Sequence, residues 1–438
     1  MENWGRLSHL FVPSFLYYFC ELMESPVVPE VTLAAVCPGE DECSAAIYFT
    51  GFQQAIGGIG SVIMMPLIGN LSDAYGRKNL MMIPLVLAIF PNAILAWKRT
   101  TNFFYAYYII KTLSIMVTKG GFLCLSLAYL ADNVSGSKRV SAFGVLSGVM
   151  YAAYLGGTFA SRVLSTTHIF QVAAALSIVA AIYTMIFLKE TTRQTGPLEH
   201  PILRRIENDE DGFGSSKNKG LIGKIPSPRV IVRLLRSSAT FSLAALVAFF
   251  NNLAEGGLQV CLLYFLKARF HFGKDQLADI LLIGYIGATI SNMLVMPILG
   301  PRIGEEILLA LALFAGFLIM FLDGIAWAAW VPYVSSSMGF FLFLASPALR
   351  SIVSKQVGPN EQGLAQGSIL GISSLANIIS PLIYSPLSAL FLSEKAPFHF
   401  QGFSLICVGL AWLVSFFLSI MIPILSRNVS SNQNSMEA

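Results

Sequence analysis

Three carboxylates fall in stretches that would otherwise be read as lipid-spanning. Residues 17 to 30, YYFCELMESPVVPE, put Glu21 and Glu24 three apart, near one face of a helix. FFNNLAEGGLQ, residues 249 to 259, sets Asn252, Glu255 and Gln259 in a three-then-four spacing that also lines one face. A charge at mid-bilayer costs roughly 2.5 to 3.5 kcal/mol on insertion scales, so such groups face water, a ligand or a partner. The chemistry they offer is the uptake and release of protons, or the holding of cations and hydroxyls. Lys111 and Lys119, eight apart and on one face, are cations suited to an anion or to a carboxylate partner such as Glu21 or Glu24. Covalent catalysis has no such foothold: HExxH, GxSxG, paired-cysteine metal motifs and phosphate loops are absent, and the 5 histidines are scattered. The expectation is a non-enzyme with no cofactor and no metal.

Positioning those groups requires helices across a bilayer. The 438 residues are 55% hydrophobic and 12% charged, against about 25% charged in soluble proteins. A dozen stretches reach the roughly 20 apolar residues that a crossing needs, from 8–34 to 402–425. Strands of alternating polarity are lacking, which leaves an all-α polytopic membrane protein with twelve transmembrane helices. RRIENDEDGFGSSKNKG interrupts the apolar run. The chain therefore divides into a six-helix bundle over 1–188, a linker loop over 189–238, a second bundle over 239–425 and a tail over 426–438.

Basic residues orient the bundle. With both termini cytoplasmic, the inner joints carry Arg77, Lys78, Lys138, Arg139, Arg302 and Lys355, and the linker adds ten more, from Lys189 to Arg236. The outer joints hold Lys98, Arg99, Lys267, Arg269, Lys274 and Lys395. Cys37 and Cys43 flank the acidic outer joint, where a short disulfide is feasible. Cys20, Cys124, Cys261 and Cys407 fall within spans and read as small apolar packers. The first span carries glutamates and lacks a small-residue cleavage pattern, so it is expected to stay as a helix. The triplets at Asn70, Asn133 and Asn428 lie on the cytoplasmic face and should be unglycosylated. A net charge of +4 concentrated in loops makes nucleic acid an unsuitable partner, and nothing calls for a second copy, so a monomer in lipid is expected.

The halves repeat one another. Phe19, Leu22 and Glu24 return as Phe250, Leu253 and Glu255 at a shift of 231, which also carries Met65-Pro66 onto Met296-Pro297 and Gly69 onto Gly300. A second echo, at 223, relates LADNVSGSKRVSAFG to VSKQVGPNEQGLAQG. Two duplicated six-helix halves suit a transporter that rocks around a midplane site, with Glu24 and Glu255 on opposite walls.

GNLSDAYGRKNL, residues 69 to 80, closely resembles the loop between the second and third helices of the major facilitator superfamily. Gly69 and Gly76 allow a tight turn, Asp73 can pair with a cation or face a helix N-terminus, and Arg77 and Lys78 anchor at the inner surface. The resemblance implies that these five residues latch the outward-facing state. GPRIGEE, residues 300 to 306, has lost the Asp-to-Arg-Lys spacing, so a latch there should be weaker. YLADNVSGSKRVSAFGVLSG and SPALRSIVSKQVGPNEQGLAQGSILGISSLANIISPLIY look like the tetracycline-resistance branch and the hippocampus abundant transcript-like proteins. The antiporter pattern of the fifth helix is altered, however, to Gly157-Thr158 and Ser161-Arg162, and the fourth-helix arginine of many proton-coupled members is missing. The implied function is alternating-access transport of a small organic solute with protons as the coupling ion, in the plasma membrane or an endomembrane. An uncoupled facilitator or a transport-dead sensor of the same fold is the alternative. Glu21, Glu24, Asn252, Glu255, Gln259, Lys111 and Lys119 are the candidate solute and proton residues.

Overall fold

A computed structural model describes residues 4–38, 44–118, 120–190, 238–272, 274–358, 361–392 and 396–436. Among the described residues there is no strand, and eleven stretches are long and apolar enough to cross a membrane. The first span adds a twelfth crossing, broken where the sequence demands it. Trp4–Glu24 stops at a turn over residues 25–27, and Val28–Val36 resumes. Pro26 lacks the N–H that an unbroken helix would use there. The fourth span breaks between Thr101–Thr118 and Gly121–Asn133, with Gly120 at φ +87°. The tenth breaks between Val331–Leu342 and Ala345–Lys355.

Each half is packed about its own apolar core. Leu10, Phe122 and Phe143 centre one cluster of the first six spans, and Phe104, Tyr107 and Phe170 another. Phe241, Leu309 and Trp412 lie in the cluster of the second six. The cysteines within spans are free, as packers should be, with Cys20, Cys124 and Cys261 buried. Asp323 is buried rather than solvated. It is 2% exposed and accepts the Ser335 hydroxyl, because the turn after Glu305–Gly324 folds back under the tenth span.

The duplication is visible in the backbone. Gly76, between the second span (Ser44–Tyr75) and the third (Arg77–Trp97), has φ 95° and ψ 152°. Gly304, between the eighth (Lys274–Ile290, Ser291–Val295 and Met296–Ile303) and the ninth, has φ 90° and ψ 149°. Only glycine takes that conformation without strain. The halves meet chiefly at the second and fifth spans. The second span lies against the eleventh (Gln362–Leu392), and the fifth (Arg139–Val163) against the eighth and tenth.

Candidate functional site

The interface is tightest at the end that carries Asp73. A Cβ on Gly69 would run into the Gly363 carbonyl, one on Gly367 into the Met65 carbonyl, and one on Gly144 or Gly148 into Met296 or Met293. Small residues here let the backbones of the two halves touch. Asp73 spans the seam. Its carboxylate accepts from the Gly363 N–H at 3.0 Å and the Leu364 N–H at 2.9 Å, at the positive N-terminus of the eleventh span. It also pairs with Arg77, which donates through Nε to Asp132 at 2.9 Å and through Nη1 to the Ser72 hydroxyl. So Asp73 faces a helix N-terminus and pairs with a cation at once. Glu190 caps the third span, accepting from the Arg77 N–H at 2.7 Å and the Lys78 N–H at 3.1 Å. Lys78 donates to the Met185 carbonyl at 2.8 Å, tying in the sixth span. A further strap crosses where Arg139 Nη1 donates to the Ser354 carbonyl at 2.9 Å.

One turn above that strap, Arg350 is the charge that sequence reasoning did not single out. It is partly exposed, and its electrostatic neighbours are Tyr18, Tyr151 and Tyr154 of the first half and Glu255 of the second. Among the described residues no carboxylate lies within ion-pairing distance of its guanidinium. The three tyrosines belong to a chain of aromatic contacts that crosses the seam. Tyr18 meets Tyr154 edge-on at 5.8 Å, Tyr151 meets Phe343 across the seam at 5.1 Å, and Tyr154 meets Tyr285 at 6.3 Å. Glu21 is exposed and acts on Tyr17, Tyr18 and Tyr154, and also on Lys111, so it borders the same cluster.

Glu24 does not. It is 3% exposed, bonded to Lys111 Nζ at 3.0 Å and to Asn92 Nδ2 at 2.5 Å, all within the first half. The expected pairing of Glu24 and Glu255 on opposite walls is therefore not what the helices build. Three residues of α-helix turn the chain by about 300°, and that 60° offset points Glu21 at the seam and Glu24 at the third and fourth spans. Lys111 serves Glu24, and Lys119 lies outside the described residues. Asn252 donates to the Ser373 hydroxyl of the eleventh span at 2.9 Å, while Gln259 is exposed. Gly256 and Gly257 admit helices rather than a ligand, the eleventh span through Ser380 and Tyr384 and the twelfth through Val408. At the far end of the bundle Cys37 is disulfide-bonded, and Cys43 lies outside the described residues.

Comparison with known proteins agrees with this architecture. The sequence profile described as Major Facilitator Superfamily matches residues 10–381. The chain is 22% identical over 403 residues to hippocampus abundant transcript-like protein 1 of Homo sapiens, covering 91% of this chain and 74% of that one. It is 26% identical over 377 residues to tetracycline resistance protein, class G, of Vibrio anguillarum, covering 84% of each. Among solved structures, the human organic anion transporter MFSD10 (TETRAN) superposes with a TM-score of 0.77 at 19% identity, covering 96% of this chain and 100% of that one. The transporter FucP in its outward conformation superposes at 0.69 and 12% identity, covering 95% and 98%.

Proposed function

The chain belongs to the major facilitator superfamily, a family of multi-pass membrane transporters of small solutes, and from that premise we propose a secondary active transporter working by alternating access with protons as the coupling ion. The halves over 1–188 and 239–425 rock about the Arg350 and Glu255 cluster. The observation that carries this reading is the combination of a sealed Asp73 end with charged groups and tyrosine hydroxyls held between the halves just above the seal. Charges without a structural partner at such a depth suit a cargo that arrives and leaves.

Gly69, Asp73, Gly76, Arg77 and Lys78 act as the latch of this state. The Asp73 end is assigned to the cytoplasm, which makes the state outward-facing. Two things support the assignment: the excess of basic residues in the joints at that end, and the disulfide-bonded Cys37 at the other, which suits an oxidising exterior or lumen. Glu255 is the proton carrier, since it lies at the seam beside the solute position, whereas Glu24 with Lys111 is an internal strut of the first half.

The test is solute uptake into proteoliposomes loaded with a pH-sensitive dye, wild type against Glu255→Gln. Solute-dependent proton entry that disappears in the variant is expected. Uptake that ignores the pH gradient and survives the substitution would recast the protein as an uncoupled facilitator. A wild type that moves nothing would make it a sensor of the same fold.

A further inference from the structure

We propose that the transported solute is an organic anion, a carboxylate or similar oxyanion on an apolar or aromatic body, held by Arg350 at the closed floor of the seam. This rests on the transporter reading above and names its substrate class.

An arginine between the halves of a membrane protein ordinarily has a counter-charge, because even partial desolvation of an unpaired cation is costly, and Arg350 is only partly exposed. Arg350 departs from that habit. The other arginines of the seam are committed: Arg77 to Asp73 and Asp132, Arg139 to backbone carbonyls at Val134 and Ser354. Arg350 makes no such bond among the described residues, and only its backbone carbonyl is engaged, by Gln366 Nε2 at 3.1 Å. Five N–H donors in a planar fork therefore remain for a ligand, and the fork matches an oxyanion with two acceptor atoms.

What surrounds the fork defines the rest of the ligand. Tyr18, Tyr151 and Tyr154 give hydroxyls from the first half and Glu255 a carboxylate from the second. The rings of Tyr151, Phe343, Tyr154 and Tyr285 wall the seam with aromatic faces. A bare inorganic anion would leave those walls wet, whereas an organic body covers them. The charged and titratable groups that face Arg350 and Glu255 are Tyr18, Tyr151 and Tyr154, with Glu21 and Tyr17 behind them on the first span, Cys124 on the fourth and Tyr285 on the eighth. Ionised Glu255 and the arriving carboxylate compete for one cation, so the carboxylate seats best when Glu255 carries a proton. The anion and one proton then cross together, and their charges cancel.

The experiment offers the full-length protein in proteoliposomes four solute pools matched in size: carboxylates and sulfonates, zwitterions, neutral polyols and amines. Retained solutes are read by mass spectrometry. Wild type should retain members of the first pool. Arg350→Gln should lower uptake of the retained anion at least about thirtyfold, as expected when one member of a close charge pair is removed, while Arg350→Lys keeps a measurable share. Each variant is first shown to unfold at the wild-type temperature. Should Arg350→Gln fail that check, the wild-type pool profile alone decides. Retention of amines or polyols alone overturns the anion and leaves the transporter standing, as does anion uptake that a folded Arg350→Gln leaves unchanged. Retention from no pool overturns both readings together.

Discussion

At the residue scale, the molecule separates two kinds of intramembrane charge. Glu24 and Lys111 are satisfied by each other and by Asn92, at 4% and 22% side-chain exposure. Removing one member of a buried pair leaves the other uncompensated, at a cost of about 3–5 kcal/mol. Lys111→Met should therefore lower the unfolding temperature of the purified protein sharply, and Glu24→Leu/Lys111→Leu should recover most of the loss. Wild-type unfolding of Lys111→Met would return Glu24 to the group of working carboxylates. The sequence displays both glutamates but not this division, since a three-residue step decides it and only the packed neighbours reveal which side faces the seam. Arg350 is harder still. An arginine five residues before Lys355 is indistinguishable, in one sequence, from an anchor at the membrane interface. Its turn toward Tyr18 and Tyr151 is a tertiary fact.

At the scale of elements, the breaks and close approaches follow from proline and glycine. Pro26 is the sequence mark of the interruption in the first span. Pro347 carries the same information for the tenth, because without an N–H it cannot bond back to Phe343, where the two helices of that span part. Pro347 alone does not announce the break, since a proline in the first turn of a helix is also an ordinary start. The meeting of the second and eleventh spans was legible only on one side. Gly69 lies in a recognisable loop, whereas Gly363 lies in a stretch with many glycines. A Cβ on Gly363 would strike the Gly69 carbonyl, the Arg77 guanidinium and the Ser72 hydroxyl together. Gly363→Ala should hence disfavour the state sealed at the Asp73 end. Spin-label distances across that end should lengthen, and transport should fall several-fold. Gly136→Ala, with nothing within 4 Å of the added methyl, is the silent control. Equal distances in both variants would mean that the seal does not depend on backbone contact at this crossing.

At the scale of the whole molecule, the duplication retains an ion pair in the second half with its charges exchanged. Gly76 to Gly304 is a shift of 228, three less than the 231 that relates Met65 to Met296. Three residues are therefore missing from the second loop, and no aspartate remains among Pro301, Arg302 and Ile303. That loss is why a weaker latch is expected there. Yet the shift of 228 carries Arg77 onto Glu305, and the earlier shift of 223 carries Asp132 onto Lys355. Both pairs form: Arg77 with Asp132, and Glu305 with Lys355. Their settings differ in a way that ranks them. Arg77 and Asp132 are 3% and 15% exposed, whereas Lys355 and Glu305 are 37% and 13%. A half-exposed pair contributes about 0.2–1 kcal/mol, up to about fivefold in the ratio of two conformations. Glu305→Lys and Lys355→Glu should each shift the spin-label populations by no more than that, and the double exchange should restore the wild-type ratio. Arg77→Glu with Asp132→Arg should not recover, because Arg77 also holds Asp73 and Ser72, and through Asp73 the first turn of the eleventh span. If the Glu305 and Lys355 double variant instead shows the sum of the single effects, the pair carries no coupling and the second half has no latch. If the first-half exchange recovers fully, Asp73 acts without Arg77, and the seal rests on helix capping alone.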